Sequence, residues 1–115
     1  MSGLTTHILD TAAGRPAAGV VVRVSAHRGG ALALLGETRT DADGRARLVE
    51  GADLVAGGYR LEFSAGDYFK ASGATVSDPP FLDVVIIDFN VADPEQHHHV
   101  PLLVSPFAYS TYRGS

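Results

Sequence analysis

The chain is short, moderately apolar and slightly acidic. It has 115 residues, of which 45% are hydrophobic and 19% are charged, and its formal net charge is −4. This composition supports a folded chain with one core and excludes an intrinsically disordered one. Acidic and basic residues are mixed without a lysine- or arginine-rich run, so we expect no nucleic-acid partner.

Several classes of protein are excluded by what the sequence lacks. There are no cysteines, which removes disulfide scaffolds, thiolate zinc sites and thiol nucleophiles. No apolar run approaches the roughly 20 residues that span a bilayer, so we expect no membrane partner. Residues 1–7 lack the basic segment and apolar stretch of a secretory signal, which predicts a cytoplasmic location.

The first half of the chain consists of short β-like segments between turn residues. No stretch keeps a helical apolar period for the roughly 10 to 12 residues of an ordinary helix, so the chain is predicted to be all-β. Residues Asp41-Ala42-Asp43-Gly44 predict a turn, because Asp and Gly tolerate positive φ. The predicted strands here are Leu4–Asp10, Val20–Ala26, Leu32–Thr40 and a brief strand that starts at Arg45.

The second half continues the β pattern with one exception. Residues 66–72 lack alternation and predict one or two helical turns, and Asp78-Pro79-Pro80 forces an extended connection. Seven or eight strands at this spacing indicate a β-sandwich, and no linker interrupts it, so we expect a single domain over residues 1–115. The predicted strands here are Tyr59–Phe63, Phe81–Val91, Val100–Ser105 and Tyr109–Arg113.

Three of the five histidines are consecutive, at positions 97, 98 and 99. In an extended segment, His97 and His99 would share a face while His98 points the other way. Solvated imidazoles in a polar turn are one interpretation. Zinc binding is another, with His7 as a third nitrogen ligand, although no carboxylate or cysteine stands at metal-motif spacing.

Two further candidates lie elsewhere in the chain. His7 occupies a β segment otherwise made of Thr, Ile and Leu, where a hydrogen-bonded structural histidine is the simpler interpretation. Arg45 and Arg47 flank Ala46 and would share one face of a short strand, as a solvated charge pair or as part of a site. None of these residues decides a function alone.

The stretch from His99 to Ser115 carries a specific motif. It reads HVPLLVSPFAYSTYRGS and resembles the ending of the 5-hydroxyisourate hydrolases, whose signature is HVPLLLSP followed by YSTYRGS. The opening LTTHILDT, with GRPA after it, is similar to the N-terminal pattern of the same family. The segment from Thr40 to Arg45 resembles its T-x-x-DGR turn, so the resemblance covers essentially the whole chain.

The resemblance implies an all-β, transthyretin-like (prealbumin-type) sandwich of eight strands with one short helix. It also implies a homotetramer with active sites between dimers, and an enzyme without a cofactor or metal. The family's catalytic residues correspond to His7, Arg45 and His99, and its substrate-binding tetrapeptide to Tyr112, Arg113, Gly114 and Ser115. The family commonly has tyrosine where this chain has His98. Because side chains alternate along a strand, the His98 side chain is expected to point away from His99.

The implied reaction is the hydrolysis of 5-hydroxyisourate to 2-oxo-4-hydroxy-4-carboxy-5-ureidoimidazoline in urate breakdown. One of His7 and His99 would act as the general base toward water and the other as proton donor or positioner, and the sequence leaves that assignment open. Arg45 would orient carbonyls and stabilise negative charge. Two alternatives are a small-ligand carrier on the same fold and a zinc-dependent hydrolase, because fold alone does not determine function.

Overall fold

The chain folds into two β-sheets that pack face to face. The structure, a computed structural model, describes residues 2–115. These residues form eight strands of three or more residues, a two-residue strand and one short helix, which confirms the predicted all-β sandwich. The elements are β1 (Gly3–Asp10), β2 (Arg15–Pro16), β3 (Val21–Arg28), β4 (Ala31–Arg39), β5 (Arg45–Glu50), β6 (Gly57–Ser64), α1 (Ala65–Ala71), β7 (Val84–Val91), β8 (His97–Val104) and β9 (Tyr109–Thr111).

The first sheet contains β2, β1, β8 and β9 in that order, with β5 also paired to β1. Strand β1 runs parallel to β8 and antiparallel to β5. The second sheet has the order β4-β3-β6-β7 and is antiparallel throughout. Strands β7 and β9 each end a sheet and have no further strand beside them within residues 2–115.

The core lies between the sheets and follows the alternation in the sequence. Tyr59, Leu61 and Phe63 of β6 are fully buried, as the one-sided pattern predicts. The inward side chains of β1, β3, β7 and β8 complete the same cluster. Because one face of the first sheet is used in this core, its other face is free to carry polar side chains.

Two predicted strands are shorter than expected. The strand predicted from Phe81 begins at Val84, because its partner β6 ends at Ser64, opposite Val84, where α1 starts. The backbone oxygen of Asp83 instead accepts a hydrogen bond of 2.8 Å from the Gly66 N–H.

The strand predicted over Tyr109–Arg113 ends at Thr111. The next residue faces Pro101, which has no N–H to donate to the ladder. Pairing in the same register resumes only as a single bridge between Gly114 and His99.

The three consecutive histidines lie in strand β8 rather than in a turn. His98 faces inward, is 5% exposed, and its Nδ1 lies 2.8 Å from the Gln96 backbone oxygen. The rings of His97 and His99 are together on the outer face, with centroids 6.4 Å apart. This arrangement confirms the predicted alternation.

Candidate active site

A polar cleft lies on the outer face of the first sheet. Its volume is about 670 Å³, and the loop and edge strand that precede β5 form one wall. In its lining are three arginines, two histidines and the last residue of the chain: Arg39, Arg45, Arg47, His97, His99 and Ser115.

Strand register explains why residues distant in sequence meet here. Thr5 of β1 lies opposite His99 of β8 on one side and Arg47 of β5 on the other. His7 lies opposite Arg45 and Pro101. Because alternate residues share a face, His7 and Thr5 are on the same outer face as His97 and His99.

The turn before β5 positions Arg45. A carboxylate oxygen of Asp41 accepts hydrogen bonds from the N–H groups of Asp43 and Arg45, at 2.9 and 3.0 Å. Gly44 has φ +75°, and a Cβ there would lie 2.6 Å from the Ile8 backbone oxygen. Only glycine fits this position, so the turn holds the start of β5 tightly against β1.

His99 is the less exposed of the two imidazoles in the cleft. Its Nδ1 lies 2.8 Å from the Thr5 hydroxyl oxygen. Burial lowers the pKa of His99, the neighbouring His97, Arg45 and His7 lower it further, and a main-chain hydrogen bond with Thr5 opposes them. The neutral imidazole, which can accept a proton, is therefore the main form near neutral pH.

The C-terminal tetrapeptide is divided between two places. Gly114 donates its backbone N–H to the His99 backbone oxygen at 2.8 Å, and Ser115 lines the cleft. The side chains of Tyr112 and Arg113 line a separate groove between β7 and β9, together with His98. There Arg113 donates to the Gln96 side-chain oxygen at 3.1 Å.

The predicted catalytic residues are thus neighbours, although they are not equivalent. Arg45 and His99 line the cleft, while His7 lies beside Arg45 on the same face without contributing to the lining. Among residues 2–115, no three His, Cys, Asp or Glu side chains are grouped so as to hold a metal ion. The zinc alternative therefore lacks a three-ligand group in that part of the chain.

The sequence interpretation did not single out Thr5 or Arg39. Thr5 could have been found from alternation, since it is two residues before His7 on a predicted strand. Arg39 ends β4 of the second sheet, and its place beside β5 depends on how the sheets pack.

Within residues 2–115, no helix is long and apolar enough to cross a membrane.

Comparison with known proteins gives consistent matches over the whole chain. The family model described as "HIUase/Transthyretin family" matches residues 4–114. A protein of Caulobacter vibrioides named 5-hydroxyisourate hydrolase is 72% identical over 115 residues, which is all of both chains.

Solved structures of two kinds share the fold. The 5-hydroxyisourate hydrolase of Klebsiella pneumoniae is 38% identical with a TM-score of 0.83, and the match covers 100% of both chains. Sea bream transthyretin in complex with thyroxine is 35% identical with a TM-score of 0.86, and the match covers 96% of this chain and 93% of that one. From the family match and these identities, the chain belongs to the HIUase/Transthyretin family.

Proposed function

We propose that this chain hydrolyses 5-hydroxyisourate to 2-oxo-4-hydroxy-4-carboxy-5-ureidoimidazoline, a step of purine breakdown. The observation that carries the proposal is that a neutral histidine, His99, shares a cleft with Arg45 and Ser115. The relatives named for this reaction, one of them 72% identical, support it. No cofactor is needed for the chemistry described below.

His99 is the general base of the proposed mechanism. Opening the ring requires a water activated near neutral pH, and a histidine whose pKa is lowered stays ready to accept the proton. None of the hydrogen bonds of residues 2–115 uses Nε2 of His99, so this nitrogen is free to meet water.

Arg45 and Ser115 bind the substrate and the charge that develops on it. A guanidinium stays protonated and offers planar donors, which suit the carbonyl oxygens of a flat ring and the oxyanion formed when water attacks. Ser115 adds a hydroxyl at the cleft. His7, beside Arg45, donates the proton that the ring nitrogen needs when the carbon–nitrogen bond breaks.

The tetrapeptide contributes unequally to this proposal. In the proposal Ser115, which lines the cleft, contacts the substrate, and Gly114 packs on the ring of His99. Substrate contact by Tyr112 and Arg113 stays a prediction, which alanine variants of each would test.

A homotetramer is also part of the proposal. Within residues 2–115, strands β7 and β9 are the outer strands of their sheets and have no further strand beside them. They carry large exposed apolar side chains, among them Val84, Ile86 and Tyr109, which are 44–46% exposed. Such edges favour pairing with another copy. A second dimer over the cleft would exclude water from it, which strengthens electrostatic stabilisation. The cytoplasmic location stays a prediction, which cell fractionation would check.

The test is to add the purified protein to freshly generated 5-hydroxyisourate and follow its ultraviolet absorbance. We expect decay much faster than the spontaneous background. Decay at the background rate would refute the proposal.

The alternative is a small-ligand carrier, and its support is the structure of sea bream transthyretin in complex with thyroxine. The arginine and histidine lining of the cleft disfavours a largely apolar ligand. Equilibrium binding of thyroxine without hydrolysis of 5-hydroxyisourate would support the carrier instead.

A further inference from the structure

The Thr5 hydroxyl lies between two imidazoles. Its oxygen is 2.8 Å from Nδ1 of His99 and 3.0 Å from Nε2 of His97. The register explains the geometry, because Thr5 is directly opposite His99 and His97 lies two residues earlier on the same face of β8. Both distances are within the range of a hydrogen bond.

A hydroxyl group has one proton, so Thr5 can donate to only one of these nitrogens. It must accept from the other, which then carries a proton. If Thr5 donates to His97, then His99 is protonated at Nδ1 and its Nε2 is free. If Thr5 donates to His99, then His97 is protonated at Nε2. The two imidazoles are therefore linked through one hydrogen-bonded chain.

We propose that Thr5 is a positioning residue that holds His99 in the tautomer with a free Nε2 and passes a proton between His99 and His97. In the resting site, Nδ1–H of His99 donates to Thr5, and Thr5 donates to Nε2 of His97. This inference rests on the proposed function, because it assigns His99 the role of base.

The proton balance of the relay closes within the three residues. When Nε2 of His99 takes a proton from water, His99 becomes an imidazolium. Its Nδ1 proton moves to the Thr5 oxygen, and the Thr5 hydroxyl proton moves to Nε2 of His97. His99 is then neutral with a proton on Nε2, and the positive charge is on His97.

The environments of the two histidines favour this direction. His97 is exposed, whereas His99 is half-buried, so water stabilises a positive charge better on His97. Basic side chains lie around His99 on the neighbouring strands and oppose a lasting positive charge there, with one carboxylate in the opposite wall. These groups are His7 on β1, Arg45 and Arg47 on β5, Arg39 on β4 and Asp41 in the turn.

The decisive variant is Thr5→Val, which keeps the branched shape and removes the hydroxyl. We expect kcat to fall about tenfold or more while KM changes little. An acid–base group contributes roughly 10²- to 10⁴-fold to the rate, and Thr5 supports only part of that contribution. Thr5→Ser, which keeps the hydroxyl, should restore most of kcat. Thr11→Val is the matched control, because the Thr11 hydroxyl donates its hydrogen bond to the Val104 backbone oxygen, outside the cleft.

A second readout does not depend on turnover. Nitrogen chemical shifts of labelled histidine in the substrate-free protein report which nitrogen of His99 carries the proton. We expect Nδ1–H in the wild-type protein and a mixed or reversed tautomer in Thr5→Val. The wild-type turnover assay tests the proposed function separately, so failure of the two ideas is distinguishable.

His97→Ala completes the test should Thr5→Val not fold. Because His97 is exposed, its removal leaves the fold intact and takes away the outer end of the relay. We expect kcat to fall by less than in His99→Ala and by more than in the surface control His27→Ala. Unchanged kcat in His97→Ala, or wild-type kcat and tautomer in Thr5→Val, would overturn the relay.

Discussion

Gly114 packs directly on the imidazole of His99. A Cβ built on Gly114 would lie 2.6 Å from Cδ2 of His99, a separation that real Cβ atoms do not show, and the Gly114 N–H donates to the His99 backbone oxygen at 2.8 Å. The penultimate residue thus contacts both the ring and the backbone of the proposed base. A side chain at this position would push the ring out of place.

Gly114→Ala should lower kcat by roughly ten- to hundredfold, because small displacements of reacting groups have large effects on rate. The melting temperature should change little, since Gly114 lies outside the buried cluster. Gly36→Ala is the matched control, because a Cβ there meets no atom within 4 Å. Full turnover in Gly114→Ala would mean that the contact does not constrain His99.

The three predicted catalytic residues should respond alike. His7→Ala, Arg45→Ala and His99→Ala should each slow turnover by about a hundredfold or more, as loss of an acid–base or charge-stabilising group does. Circular dichroism should be unchanged, because none of the three belongs to the core. Near-normal turnover of a folded His99→Ala protein would show that His99 is not the base. The His98→Ala variant should lose less activity, because the His98 side chain faces inward.

The acid limb of the pH–rate profile should have its midpoint at a lower pH than the one at which an ordinary histidine titrates. The pKa of His99 is lowered, first by burial and then by His97, so the basic form persists below the usual value of about 6.5. As the pH falls through the lowered pKa, His99 is protonated and kcat/KM should drop. His97→Ala removes a neighbouring imidazole that lowers the pKa of His99, so it should move the limb to higher pH, and a shift to lower pH would contradict this.

Removing Gly114 and Ser115 should abolish most activity with little loss of stability. The deletion takes away the glycine that packs on His99 and a residue of the cleft lining. It removes one backbone hydrogen bond of this segment, worth about 1 kcal/mol, so the melting temperature should fall by only a few degrees. A large fall in melting temperature in parallel with activity would indicate that the segment is mainly structural.

Chelation separates the cofactor-free mechanism from the zinc alternative. Turnover should persist after exhaustive EDTA treatment and dialysis, because the proposed acid–base steps use only histidine, arginine and hydroxyl groups. Metal analysis of the same samples is the control. Activity that is lost on chelation and restored specifically by zinc would favour the alternative.

Light scattering at micromolar concentration tests the assembly, for which we expect the mass of a tetramer. The expectation rests on β7 and β9, which are the outer strands of their sheets within residues 2–115. A monomer mass together with full turnover would show that one chain completes the site alone.

Local pattern in the sequence was enough to predict much of the fold. Alternation along β6 predicted its buried face, and alternation in β8 separated His98 from His97 and His99, because the side-chain period of a strand is two residues. The family motifs predicted the sandwich and directed attention to Arg45 and His99. These features depend on neighbouring residues or on short segments, which a sequence displays directly.

Long-range register decided the rest. Thr5 meets His99 only because β1 pairs in parallel with β8, and Arg39 reaches the cleft only because the edge of one sheet lies beside β5 of the other. Strand β9 ends at Thr111 because Pro101, opposite Tyr112, has no N–H for the ladder. Thr5 and His99 are 94 positions apart. The energies of these contacts depend on how strands and sheets pack, which no local pattern encodes.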